Sequence, residues 1–173
     1  MKTRSALILL IILLLQVSCK KDDAIPTSGI ATINNTTEFS TTYYVYGFLF
    51  SEAKLVSTLD KPAPDITVDS DGTNLLLQTN NFKNSFFLFG EYNSETSAKA
   101  AFDNLSSANV TQWEGLAYPL KVNQIWIYRS GTEKYAKIRI ISLLAELRSG
   151  RNYAECTFEW VYQPDGSLTF PVK

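Results

Sequence analysis

The stretch 124–163 decides the fold. It runs QIWIYR (124–129), a turn at Ser130-Gly131, KYAKIRIISLL (134–144), a turn at Ser149-Gly150, then NYAECTFEWVYQ (152–163). β-branched and aromatic residues recur with period two in each run, which marks strands rather than helices. Short Gly-containing turns between such runs join them as antiparallel neighbours. A third turn at Pro164-Asp165-Gly166 leads into 167–171, so the pattern predicts a four-stranded antiparallel meander. Ile138 and Ile140 point to one side of their strand, Lys137 and Arg139 to the other. On the following strand Cys156, Phe158 and Trp160 face in while Glu155, Thr157 and Glu159 face out. The register that joins the two apolar rows sets Lys137 and Arg139 across from Glu159 or its neighbours, a charged set expected on a solvated sheet surface.

Upstream, 42–50 (TYYVYGFLF) is apolar on both sides, as in a strand covered on both faces, and 54–57 (KLVS) reads as its return partner. Lys61-Pro62-Ala63-Pro64 interrupts the ladder. Two short strands, 65–68 and 73–78, flank Asp71-Gly72, a dipeptide suited to a type I′ turn. The run 84–92, with Phe86-Phe87-Leu88-Phe89, predicts another core strand. One segment reads as a helix: Ser94 caps it, and Ala98, Ala101, Phe102 and Leu105 share one face. The expected fold is therefore mainly β, antiparallel meander or sandwich-like sheets with one short α-helix near 95–106.

The chain has 173 residues, 45% apolar and 19% charged, enough for one folded domain. Its net charge of −1 offers no basic field for nucleic acid. It contains no His, which excludes Ser-His-Asp and Cys-His nucleophile systems, the usual zinc sites and His-ligated haem. The single Met is Met1.

Lys2 and Arg4 precede ten uninterrupted apolar residues, 6–15, then Gln16-Val17-Ser18-Cys19. As a helix that run spans ~15 Å, about half a hydrocarbon core, so it reads as an export signal. Ser18-Cys19 resembles the end of a bacterial lipoprotein signal, although Gln16 stands where that pattern has Leu. The resemblance implies that Cys19 carries the lipid and becomes the first mature residue. The alternative is an ordinary signal peptide cleaved near Ser18. Several acyl chains anchor a protein stably where one does not. Lys20-Lys21-Asp22-Asp23 resembles a surface-export tag and equally suits a solvated spacer. The organisation expected is a signal peptide at 1–18, a lipid-anchored flexible tether at 19–40, and a single mostly-β domain at 41–173.

The runs NQIWIYRSGTEKYAKIRIIS and YAECTFEWVYQPDGS resemble the C-terminal part of HmuY-like surface lipoproteins. The matching positions are Gly131, Lys134, Tyr135, Lys137, Thr157, Phe158 and Tyr162. The resemblance implies a mostly-β architecture at the cell surface. It does not carry over haem, which such proteins hold through His or Met. Residues 19–173 contain neither, and only Tyr or Cys156 remains to ligate iron.

Cys156, alternating with Phe158 and Trp160, reads as a small buried hydrophobe; a reactive thiol needs a cationic or His neighbour. Asp65, Asp69, Asp71 and Asn74 lack the full spacing of a calcium loop. No pair of carboxylates stands out as a glycosidase pair. Trp113 and Tyr118, in a loop reading, either stack on a ligand or partner or plug the core edge. The expected function is a non-catalytic, lipid-anchored envelope protein at the outer membrane, binding an extracellular ligand or a partner such as an outer-membrane transporter, without a cofactor. The alternatives are a small carboxylate/Tyr-based hydrolase and a purely structural envelope subunit.

Overall fold

The computed structural model describes residues 24–39, 42–81 and 83–172. Residues 1–18, read above as a signal peptide, and Cys19 lie outside the described residues. In chain order the elements are β1 (Ser28–Asn34), β2 (Glu38–Phe39), β3 (Tyr43–Tyr44), β4 (Tyr46–Leu49), a 3-10 turn (Phe50–Glu52), β5 (Lys54–Ser57), β6 (Thr67–Ser70), β7 (Leu75–Gln78) and β8 (Phe86–Glu91). Then come α1 (Glu95–Asn104), β9 (Gln124–Arg129), β10 (Tyr135–Arg148) and β11 (Arg151–Gln163). Among the described residues the protein is mainly β, with antiparallel pairing and one α-helix.

The main sheet has the order β1-β11-β10-β9-β8. The β9–β10–β11 meander is present, in the register that pairs Ile138 with Trp160 and Ile140 with Phe158. Its tip at Ser149-Gly150 has positive φ at both residues, 50° and 77°, as a type I′ turn requires.

One face of this sheet carries Trp126, Tyr128, Ile138, Ile140, Phe158 and Trp160. It packs on a second layer made of the β4–β5 and β6–β7 hairpins, which contribute Phe48, Phe50, Ile66, Val68 and Leu77. Backbone bonds join the two hairpins, Phe48 N to Ile66 O at 2.9 Å, so they act as one sheet. Gly47 is required at that junction. A Cβ there would strike Ile66 O and come within 2.7 Å of Pro64 Cβ and Thr67 Cγ2. The segment 114–117 closes one side of the sandwich, bonding to β8 through Glu114 and Phe86 and to β7 through Ala117 and Leu77.

The opposite face of the main sheet is covered by α1. Ser94 Oγ accepts the Ser97 N–H at 3.1 Å and caps its first turn. Ala98 and Phe102 are fully buried, and Phe102 meets Ile125, Ile127, Val161 and Phe170 in a second core.

Five expectations are corrected. The stretch 19–40 is not a tether throughout. Ser28–Asn34 forms β1, pairing all seven residues with β11, and Ile33, 1% exposed, packs in the main core. Its Thr, Asn and Gly residues suggest a linker, yet Ile33 fills the space beside Cys156. The run 42–50 is not one strand: Val45 separates β3 from β4, and Phe50 turns away in the 3-10 turn. Asp71-Gly72 is not a type I′ turn. Only Gly72 has positive φ, and Asp71 Oδ1 accepts from Thr73 and Asn74 N–H in a four-residue loop. The segment 167–171 does not extend the meander. Phe170 N bonds Ser106 O at 2.8 Å, which carries Phe170 into the helix-side core. Lys137, Arg139 and Glu159 are not on a solvated surface, because α1 covers them.

Candidate functional site

The charged row under α1 is a packed ionic layer. Arg139 and Glu159 are direct partners across the β10–β11 ladder, 4% and 5% exposed. Arg139 Nε and Nη2 lie 3.0 and 2.9 Å from Glu159 Oε2, and Lys99 of α1 stands 3.7 Å from Oε1. Lys137, 0% exposed, donates through Nζ to Phe102 O at 2.7 Å and Leu105 O at 3.0 Å. A cation on the last carbonyls of a helix satisfies acceptors that have no intrahelical donor and complements the helix dipole. These residues hold α1 to the sheet, and Lys137, Arg139 and Glu159 are closed off from solvent while Lys99 keeps its outer end in water.

Trp113 and Tyr118 are not brought together. Trp113 is half-buried at the helix-side core, 6.1 Å from the Tyr135 ring at 23°, with the Arg129 guanidinium 4.5 Å over its face. Tyr118 is exposed and bound to the β6–β7 turn. Its hydroxyl donates to Asp71 Oδ2 at 2.8 Å and accepts from Asn74 Nδ2 at 3.2 Å. That bond to Asp71 raises the phenol above its ordinary range, while backbone N–H groups of Asn74 and Thr73 lower Asp71. Tyr118 also borders a hollow of about 300 Å³ with Phe87, Leu88, Gln112 and Trp126.

Cys156 is fully buried, and burial raises its thiol well above the ordinary value. Asp65 is half-buried, and desolvation raises its carboxyl although Phe50 N (2.9 Å) and Tyr128 Oη (3.0 Å) both donate to it. It borders a hollow of about 180 Å³ with Thr79, Asn80, Asn81 and Tyr128, and no second carboxylate lines that hollow. Among the described residues no three His, Cys, Asp or Glu side chains cluster as a metal site.

An exposed aromatic surface lies elsewhere. Phe39 and Tyr43 pair across β2–β3 with ring centroids 5.0 Å apart, 68% and 67% exposed. Tyr44 meets Tyr46 edge-on at 5.7 Å. Tyr46 and Leu55, with Glu38, Thr32, Asn34 and Thr36, line a groove of about 250 Å³ between β1 and the β4–β5 hairpin. The aromatic run 42–46 was the available signal. Strand alternation, however, groups Tyr46 with Phe48 and Phe50, which are buried, so the pattern hides its exposure.

The chain matches no protein-family model and no curated protein. What the fold defines is a two-sheet antiparallel sandwich with one covering helix, and beside it an aromatic groove at one sheet edge.

Proposed function

We propose that this is a non-catalytic protein of the cell envelope, anchored at the outer membrane through a lipid on Cys19, that binds an extracellular ligand or a partner protein at its surface. The observation that carries the binding reading is the set of exposed aromatic side chains Phe39, Tyr43 and Tyr46, with half-buried Tyr44 edge-on to Tyr46, beside the groove lined by Leu55 and Glu38. Solvent-facing aromatic side chains supply large contact area at low entropic cost, and they are enriched at interfaces. The lipoprotein-like Ser18-Cys19 and the HmuY-like run 123–167 support placement at the outer membrane, beside a transporter or an incoming ligand. Haem is not assigned, since His and Met are missing from 19–173. The hydrolase reading has its best pair in Asp65 and Tyr128. Both Asp65 oxygens are already bonded there, and one carboxylate without a partner does not make a glycosidase.

Two experiments test this. Cys19→Ala is expected to move the protein from the membrane pellet to the soluble envelope fraction, and continued retention in the membrane overturns the anchor. A photo-crosslinking residue at Tyr46 in intact cells is expected to give a discrete adduct that the same residue at Tyr92 does not. Equal labelling at both positions, or none at Tyr46, overturns the docking surface.

A further inference from the structure

The tip of the β10–β11 hairpin carries an arrangement that sheet energetics disfavour. Arg148 and Arg151 are direct cross-strand partners on either side of Ser149-Gly150. Like charges placed opposite one another cost stability unless something neutralises them. Glu146 pairs with Arg148, whose guanidinium also lies over the Tyr153 ring. Arg151 takes part in none of the ion pairs among the described residues.

Between these arginines and the loop after β1 lies a hollow of about 510 Å³. Its wall is Asn35, Thr36 and Thr37 on one side and Arg148, Ser149, Arg151 and Tyr153 on the other. It presents the Arg151 guanidinium, the Arg148 guanidinium already paired with Glu146, and the hydroxyls of Thr36, Thr37 and Ser149, and no carboxylate lines it, in a chain whose overall charge is negative. The nearest acids are engaged, Glu146 by Arg148 and Glu155 by the Tyr153 hydroxyl at 2.7 Å. The loop wall is held in place. Asn35 Nδ2 donates to Asp69 Oδ1 (3.2 Å) and Asn152 O (3.0 Å), and Asn35 Oδ1 accepts from Ala154 N (2.9 Å).

We propose that this hollow binds an oxyanion group, sulfate, phosphate or carboxylate, carried by a saccharide. The guanidinium fork matches such groups with paired N–H donors, and its charge survives at any physiological pH. The Thr36, Thr37 and Ser149 hydroxyls offer hydrogen bonds to sugar hydroxyls. Thr36 belongs both to this hollow and to the groove containing Tyr46, so a ligand longer than one ring reaches an exposed aromatic face. That last step rests on the aromatic groove proposed above; the anion site itself does not.

The test uses the full-length protein in detergent, titrated with a sulfated dextran oligosaccharide and with neutral dextran of the same length. The sulfated ligand is expected to bind at least tenfold more tightly. Arg151→Gln, which breaks no ion pair within the fold, is expected to weaken it about tenfold or more with an unchanged circular dichroism spectrum. Lys61→Gln, which removes the same charge elsewhere, is expected to leave binding unchanged. Equal binding of both dextrans, or equal loss in the Lys61 and Arg151 variants, overturns the site. Retention on phosphatidylglycerol vesicles without binding of the sulfated oligosaccharide overturns it in favour of a lipid surface. Tyr46→Ala separates the two readings: loss in Arg151→Gln with none in Tyr46→Ala upholds the anion site while removing the aromatic groove from it.

Discussion

Arg139 and Glu159 hold each other beneath α1, with Arg139 Nη2 2.9 Å from Glu159 Oε2 and both side chains withdrawn from water. The pair is not fully satisfied, because Arg139 Nη1 is buried without a hydrogen-bond partner among the described residues. Such a pair contributes little net stability compared with an apolar pair of the same volume, yet removing one member leaves the other charge stranded.

Glu159→Gln should therefore destabilise the fold by about 3–5 kcal/mol, measured by urea unfolding. The double variant Arg139→Met with Glu159→Leu should lose much less than Glu159→Gln alone. A double variant as unstable as the single one would show that the ions hold α1 in some other way.

Lys137→Met keeps the length of the stem but removes the donor to Phe102 O and Leu105 O. Phe102 O keeps the Leu105 N–H (3.4 Å), whereas Leu105 O loses its Lys137 donor, and leaving a buried acceptor unpaired costs about 1–3 kcal/mol. The loss should concentrate at the last turn of α1. Amide hydrogen exchange should accelerate at 102–105 more than in β9 or β10.

Desolvation holds the Asp65 carboxyl above the ordinary value of 3.8, so the folded state binds its proton more tightly than the unfolded chain does. Its contribution therefore favours the fold at low pH. It falls as pH rises from about 3.8 through the raised folded value, then stays constant. Carboxylates lowered in the fold, such as Asp71 and Glu91, act in the opposite sense, so the measurement is a difference. The stability of Asp65→Asn relative to the native protein should improve with rising pH across that window. A pH-independent difference in urea midpoints would contradict the assignment.

Gly47→Ala places a methyl group against Ile66 O, Pro64 and Thr67, where β4 meets β6. Forcing these strands apart should cost about 1–3 kcal/mol or more. Gly150→Ala is the contrast, because nothing lies within 4 Å of an added Cβ there. Its cost should come from the positive φ of 77° alone. Thermal melts of the two variants should separate crowding from backbone strain.

Local pattern determined a good part of this protein. Period-two alternation in β9, β10 and β11 specified which side chains share a face, because a slip of one residue would turn every apolar side chain outward. The exact pairing of Ile138 with Trp160 depends as well on the irregularity between Ile140 and Ser142. Ser94 and the stripe from Ala98 to Leu105 marked α1 for the same reason: its cap and its face are written within one helix length.

What lies on top of a strand is not written in the strand. Alternation places Lys137, Arg139 and Glu159 on the face away from the main core, and a polar face ordinarily meets water. Only the return of α1 and Phe170 over that face, from distant parts of the chain, converts it into a buried ionic layer. Tyr46 shows the converse, an aromatic residue in a core-like pattern left at the rim because it starts β4, where the groove against β1 opens. Burial is a property of the space between elements, and that space is defined by contacts between residues far apart in sequence. The arginine hollow, assembled from the loop after β1 and a hairpin tip more than a hundred residues later, exists for the same reason.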